Sequence, residues 1–283
     1  MRADKFSDRH IGPRGRDIED MLNTAGVGSL DELIGMTIPK SILKPGEFEF
    51  EKGMTEAGYL ENITDISRKN KVFRSYIGQG YYNTVLPSVI RRNILENPNW
   101  YTSYTPYQAE ISQGRLEALL NFQTVISELT GMEIANASLL DEASAASEAM
   151  IMLFNSRSRS DVKAGKNEFF VDHNIFSQTI ELLELKANPL GIKIVKGDFR
   201  DPQFSGNTFG SMVQYPAADG KLFDYSHFVS SAKEKDITIA VAADILGLSL
   251  LTPPGEWGAD VVFGSTQRFG IPMFYGGPHA AFF

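Results

Sequence analysis

The sequence contains no cysteine among its 283 residues. That absence excludes disulfide bonds, thiolate metal sites and cysteine nucleophiles, and it is typical of a protein in a reducing compartment. No apolar run approaches the roughly twenty residues that a membrane span requires. The first residues, MRADKFSDRHIGPRGRD, also lack the hydrophobic core of a secretory signal. We therefore expect a cytoplasmic protein with no membrane partner or, in a eukaryote, a mitochondrial matrix protein whose transit peptide has been removed.

Positive charge is also scarce, with 27 Lys and Arg against 35 Asp and Glu and a net charge of -8. Nucleic acid is not expected as the main partner, because binding of a phosphate backbone depends on Lys and Arg. The four histidines lie far apart and form no H-x-x-x-H pair, so no metal site is expected. Neither a G-x-x-x-x-G-K-[ST] loop nor a G-x-G-x-x-G helix start is present, which removes the two strongest signatures of nucleotide binding.

What remains is an ordinary globular composition, 42% hydrophobic and 22% charged. Residues 1 to about 50 are predicted to form a small helical arm. Ser29 and Glu32 have the spacing of a capping box, and Pro39 and Pro45 mark the loop that follows.

The remainder of the chain has the pattern of an α/β domain. A helical stripe that starts near residue 115 stops at Gly131, and a second helix is predicted over 142–155. After it, β-rich runs alternate with helical patterns, which predicts a mainly parallel sheet covered on both faces. The predicted strands are EFFVDH, IKIVKGDF, GSMVQYP, ITIAVAADI, ADVVFGS and GPHAAFF.

Ligands of such sheets bind at the carboxyl ends of the strands. The residues predicted to lie there are Asp172, His173, Tyr215, Pro216, Asp244 and the segment 264–268. Asp244 ends the most apolar strand, and a carboxylate in that position needs a partner. A bound ligand and a structural hydrogen bond both remain open as that partner.

Two long stretches carry a resemblance to a known family. The first begins SYIGQGYYNTVLPSVIRRNILENPNWYTSYTPYQAEISQGRLEALL and continues to ANASLLDEASAASEAM, and the second is GSTQRFGIPMFYGGPHAAFF. Together with RHIGP near the start, they closely resemble the N-terminal half of the P-protein family of the glycine cleavage system. The match runs from about residue 9 to the last residue.

The resemblance implies a fold and a domain organisation. The fold would be that of the large domain of fold type I pyridoxal-phosphate transferases, with a mainly parallel seven-stranded sheet and helices on both faces. The helical arm would cover 1–50 and the large domain 51–283. Family members continue into a small C-terminal domain, so the chain is expected to be truncated before it.

The resemblance also implies an activity. Glycine dehydrogenase (aminomethyl-transferring), an oxidoreductase of glycine catabolism, decarboxylates glycine on pyridoxal 5'-phosphate and passes the aminomethyl group to the lipoyl arm of the H-protein. The cofactor is the electron sink of this chemistry. Glycine, the lipoylated H-protein and a lysine-bearing half or subunit are therefore the expected partners, in a dimer or a heterotetramer.

The sequence departs from the lysine-bearing half of that family at the cofactor. Counting back from Pro272 puts Gln267 where the Schiff-base lysine is expected, and an amide forms no imine. Asp141 and Glu142 begin the helix whose start would cradle the cofactor phosphate, and they would repel a dianion. Asp244 resembles the carboxylate that pairs with the pyridine nitrogen, in a vestigial role. The partner half would therefore anchor the cofactor, and this chain would anchor none covalently.

A half that holds no cofactor can still lend residues to its partner's active site. The stretch YTSYTPYQ, from residue 101, supplies the main candidates, because tyrosine hydroxyls donate hydrogen bonds and the neighbouring polar groups orient them. The expected catalytic residues are Tyr104, Tyr107, Gln108 and Glu110, and the expected cofactor contacts are Tyr81, Tyr82 and Asp244. The alternative is that these tyrosines only fill a dimer interface.

Two other functions are weighed against this one. The first is a catalytically inactive scaffold or regulatory protein of the same fold. The second is an independent pyridoxal-phosphate enzyme that uses another lysine. It is disfavoured because Lys233 and Lys235 fall on a predicted surface helix, and Lys193 and Lys196 on a different strand.

Overall fold

The computed structural model describes residues 6–44, 46, 49–51, 53–101, 108, 110–136 and 138–283. The chain divides into two compact units, Met1–Arg74 and Ser75–Phe283. The first is helical, and the second contains the sheet.

The first unit contains four helices among its described residues. They are α1 (Phe6–His10), α2 (Arg16–Ala25), α3 (Leu30–Thr37) and α4 (Glu56–Ser67). The predicted cap of α3 is confirmed, because the Glu32 N–H donates to Ser29 Oγ at 3.1 Å. The Glu32 carboxylate in turn accepts from the Gly28 N–H at 2.7 Å.

The boundary between the units lies later than the sequence predicts. The arm is expected to end near residue 50, whereas the first unit extends to Arg74. The reason is α4, which groups with the preceding helices. Its first residue, Glu56, forms an ion pair with Arg9 of α1 at 2.9 Å.

The second unit begins with helices and continues as an α/β structure. Its helices are α5 (Ser88–Leu95), α6 (Pro98–Tyr101), α7 (Gln113–Thr130), α8 (Glu142–Asn155), α9 (Arg159–Ala164), α10 (Ser177–Ala187), α11 (Ser226–Lys233) and α12 (Pro254–Trp257). The predicted end of α7 is confirmed, since Gly131 adopts a left-handed φ of +70° and donates to Ser127 O at 2.9 Å. The bounds of α8 also match the prediction.

The strands form one sheet. They are β1 (Glu168–Asp172), β2 (Lys193–Gly197), β3 (Thr208–Tyr215), β4 (Thr238–Ala243), β5 (Val261–Ser265) and β6 (Ala281–Phe282). Their order is β2-β1-β3-β4-β5-β6. All neighbours are parallel except β5 and β6, which are antiparallel. The mainly parallel sheet is confirmed.

The described residues contain six strands where the resemblance implies seven. The edge beyond β6 is occupied instead by a short segment before α8. Leu139 forms an isolated antiparallel bridge with Ala281, and the Asn136 N–H donates to Phe283 O at 2.9 Å. At this edge the segment makes one bridged pair of residues and one further hydrogen bond. The paired stretch is therefore too short to count as a strand.

Side chains of the central strands alternate between two hydrophobic clusters. Phe169 and Val171 of β1 belong to one cluster with α8 and α10, and Phe170 between them belongs to the other with α11. This is the alternation of a strand buried on both faces. Small side chains at Ala145 and Ala149, both fully buried, let α8 approach the sheet closely. The start of α8 is thereby fixed next to the carboxyl end of β5.

Candidate functional site

A crevice lies at the carboxyl ends of β3, β4 and β5, the edge where parallel sheets bind ligands. Pro216, Asp244 and Ser265, which follow or end these strands, form its floor, and it encloses about 140 Å³. Glu142 of α8 and Tyr82 line its other sides.

Asp244 is held within the protein by a cationic partner. Its Oδ1 accepts from Arg268 Nε at 3.3 Å and from the Leu246 N–H at 3.1 Å. The Arg268 and Asp244 side chains are 21% and 23% exposed, so the pair is partly shielded from water. The guanidinium carbon of Arg268 also lies 4.8 Å from the centroid of the Tyr82 ring. Of the two partners left open for Asp244, the structure shows an internal one.

Gln267 is completely buried beside this ion pair. Its Nε2 donates to Ile271 O at 2.6 Å and to Tyr82 O at 3.1 Å. Its Oε1 is buried with no hydrogen-bond partner. The amide therefore serves as a donor to two main-chain carbonyls and does not point into the crevice.

The amino end of α8 carries two acidic residues with different roles. Asp141 is the N-cap, and its Oδ1 accepts from the Ser144 N–H at 2.7 Å. Burial raises the pKa of Glu142 to about 7, and the nearby Asp244 and Asp141 carboxylates add to the effect, whereas a hydrogen bond from the Ser265 backbone opposes it. Near neutral pH the crevice therefore contains a glutamate that is protonated in a large fraction of molecules.

Residues 78–86, named here the crossing segment, contribute Gly80 and Tyr82 to the lining of the crevice. The segment starts with a tight turn in which Gln79 has a φ of +56° and Gly78 bridges to Tyr81. Gly80 needs to be a glycine, because its φ is +86° and a Cβ there would lie 3.0 Å from the Phe176 ring.

A second cavity, of about 300 Å³, adjoins the crevice and shares the crossing segment and Glu142 with it. The Tyr81 and His279 rings meet at its edge with centroids 5.0 Å apart. Tyr81 and Tyr82 are adjacent in the crossing segment, and they line the cavity and the crevice respectively.

The structure places the predicted residues as follows. Tyr82 and Asp244 line the crevice and Tyr81 lines the adjoining cavity. Tyr104 and Tyr107 lie outside the described residues. Gln108 and Glu110 are exposed, and neither is among the residues described as lining the crevice.

Some residues expected at the strand ends serve the fold instead. Asp172 is fully buried and accepts from the Phe199 N–H at 3.1 Å and the Asn174 N–H at 3.3 Å. Burial raises the pKa of Asp172, and these two N–H donors oppose the rise. The next residue, His173, is exposed, and the Tyr215 ring packs edge-on against Trp257. The carboxyl ends of β3, β4 and β5 thus line the crevice. The end of β1 instead holds the following turn through the hydrogen bonds of Asp172.

Sequence reasoning missed two features of the crevice. Arg268 was part of the segment 264–268 but received no role, although a cation next to a strand-end carboxylate is a signal that could have found the pair. Glu142 was considered only as a charge that repels phosphate. Its raised pKa depends on burial and on Asp244, which no local pattern reveals.

The residues of this crevice do not fit a covalently held pyridoxal phosphate. The carboxylate suited to a pyridinium nitrogen already pairs with Arg268, and Gln267 is turned toward main-chain carbonyls. The helix start that would receive a phosphate carries the Asp141 cap and Glu142 in its place. No step of a reaction is therefore assigned to such a group in this chain.

In the described part of the chain, no helix combines the length and the apolarity needed to cross a membrane. Among the same residues, no group of three or more His, Cys, Asp or Glu side chains is arranged to hold a metal ion.

Comparisons with known proteins agree on one family. The family model described as glycine cleavage system P-protein matches residues 8–283. A glycine dehydrogenase (decarboxylating) of Christiangramia forsetii is 56% identical over 283 residues, which cover all of this chain and 30% of that protein. One from Synechocystis sp. is 53% identical over 281 residues, covering 99% of this chain and 28% of its own length.

A solved structure gives the same result. A crystal structure of glycine decarboxylase (P-protein) of the glycine cleavage system, in inhibitor-bound form, superposes with a TM-score of 0.84 at 30% identity. The match covers 96% of this chain and 61% of that one. The chain thus spans about a third of the length of the curated relatives it matches.

Proposed function

This chain belongs to the glycine cleavage system P-protein family, and we propose on that premise that it is the N-terminal part of a glycine dehydrogenase (decarboxylating). The whole enzyme would decarboxylate glycine on pyridoxal 5'-phosphate and transfer the aminomethyl group to the lipoyl group of an H-protein. The cofactor would supply the electron sink, and the protein would supply binding and orientation.

The proposed division of labour is supported by the internal partners of the polar side chains at the crevice. Arg268 neutralises Asp244, and Gln267 donates to two carbonyls. The Asp244 carboxylate, which is partly shielded from water, already has a cationic partner in Arg268. The cofactor would therefore be anchored by a lysine-bearing partner half, fused or separate, in a dimer or a heterotetramer.

The contribution of this chain would be side chains lent across the interface with that partner. Tyr104 and Tyr107, oriented by Gln108 and Glu110, would donate hydrogen bonds to the cofactor or the substrate. Tyr81 and Tyr82 are the second candidates, supported by their position on the crossing segment. The expected location is the cytoplasm, or the mitochondrial matrix in a eukaryote.

The test is glycine-dependent release of CO2. The chain alone is expected to release none, and addition of the lysine-bearing half is expected to restore release. In the assembled enzyme, Tyr104→Phe should lower turnover roughly tenfold, the effect of losing one hydrogen bond to a reacting group. Tyr59→Phe, on the exposed face of α4, is the matched control and should leave turnover unchanged.

A second candidate is an inactive scaffold of the same fold. It is favoured because Asp244 and Gln267 already have hydrogen-bond partners within the chain. It predicts that Tyr104→Phe, Tyr107→Phe and their combination leave the turnover of the assembled enzyme unchanged. A loss of turnover in these variants at an undiminished yield of assembled enzyme would exclude the scaffold. CO2 release by the chain alone would exclude both candidates.

A further inference from the structure

The crossing segment is attached to the body of its unit by three hydrogen bonds, each to a residue that is distant from the segment in sequence. Gln178 Nε2 donates to Gln79 O at 2.8 Å. Gln267 Nε2 donates to Tyr82 O at 3.1 Å, and Thr84 Oγ1 donates to Ile271 O at 2.9 Å. The segment is thus tied at its beginning, middle and end.

The middle attachment differs from the other two in its burial. Gln267 has no exposed surface, whereas Gln178 and Thr84 are partly exposed. Because the Gln267 side chain is shielded from water, solvent does not readily take the place of its amide as a donor. Gln267 is therefore expected to contribute most to the order of the segment.

The chemistry of the site requires a donor at position 267. Both acceptors, Tyr82 O and Ile271 O, are carbonyls that only accept hydrogen bonds. The amide oxygen of Gln267 is buried without a partner, which is a cost of the arrangement. The amide thus makes its hydrogen bonds through its nitrogen alone.

We propose that Gln267 is a positioning residue that fixes the crossing segment, and with it Tyr81 and Tyr82, at the crevice. The Ile271 carbonyl, shared by Gln267 and Thr84, links the loop after β5 to the segment. Arg268 adds to this link through its contact with the Tyr82 ring. The inference rests on the proposed function only in that these tyrosines would be presented to a partner half.

The test is hydrogen exchange of the backbone amides of residues 79–84, measured on the assembled protein. Gln267→Met keeps the length of the side chain and removes both donors, so exchange in this stretch should become roughly tenfold faster. Gln203→Met is the matched control, because Gln203 donates to Asp201 O within an exposed loop.

A second variant distinguishes a local effect on the crossing segment from a general loss of packing. Thr84→Val removes only the hydroxyl that shares Ile271 O and should accelerate exchange in the same stretch by a smaller factor. Unchanged exchange of 79–84 in Gln267→Met would overturn the inference. So would an equal acceleration across all peptides of the unit. None of these readings depends on activity, so failure here is distinguishable from failure of the proposed function.

Discussion

Glu142 is a residue whose surroundings change its protonation. Burial raises its pKa to about 7 from the ordinary 4.5, with Asp244 and Asp141 as smaller contributors. Between these two pH values the folded chain holds a proton that the unfolded chain has released. The free energy of unfolding must therefore fall as the pH rises from 4.5 toward 7, and the loss persists above it.

Replacement of Glu142 by Gln should remove this pH dependence. A neutral amide still accepts from the Ser265 backbone and has no charge to bury. At pH 8 the Glu142→Gln variant should be more stable than the parent by about 1 to 3 kcal/mol, and at pH 5 the difference should be small. Urea unfolding at both pH values measures it. Glu148→Gln, on the exposed side of α8, is the control. Equal effects of the two substitutions at pH 8 would refute the role given to Glu142.

At the scale of the element, α8 positions the crevice from one side. Its alanines pack against the sheet, and its first turn supplies Glu142. The cap at Asp141 satisfies the Ser144 N–H and places a negative charge at the positive end of the helix. The same cap makes the helix start a poor site for a phosphate dianion.

Removal of that cap should destabilise the unit by a moderate amount. Asp141→Ala loses the hydrogen bond to the Ser144 N–H, and the free energy of unfolding should fall by about 1 kcal/mol. Asp141→Asn keeps an acceptor at the same position and should cost much less. Chemical denaturation of both variants provides the comparison. If Asn proved as costly as Ala, the charge of Asp141, and not its hydrogen bond, would be the important property.

The elements of the second unit could be predicted because their signals are local. Gly131 ends α7 through a left-handed backbone, and the apolar runs give the parallel strands within a few residues. The antiparallel pairing of β6 and the single bridge at Leu139 depend on register at the sheet edge, which no local pattern fixes. The first unit extends to Arg74 and includes α4, whose Glu56 pairs with Arg9 from a distant part of the sequence.

The site is less predictable than the fold, because its contacts join residues that are far apart in sequence. Asp244 was found from its place at the end of a buried strand. Its partner Arg268 reaches it from the loop after β5, and Gln267 meets Tyr82 across more than 180 positions of the chain. These contacts exist only after the sheet has assembled.

At the scale of the whole molecule, we propose that this chain is one of two unequal halves of an enzyme. The family and its fold are shown by the match over residues 8–283 and by the superposition on a P-protein structure. Asp244 at the crevice of this chain is paired with Arg268 of the same chain. The chain would then depend on a lysine-bearing partner half for the cofactor, and the partner would depend on this chain for tyrosines.

The most direct test is a titration of the purified chain with pyridoxal 5'-phosphate, followed by borohydride reduction and location of any pyridoxyl-lysine by peptide mass. We predict no stoichiometric adduct on the chain alone, and a single adduct on the lysine-bearing half when the two are assembled. One stoichiometric adduct at a lysine of this chain would contradict the account. It would show that the crevice holds a cofactor despite Gln267 and the pair formed by Asp244 and Arg268.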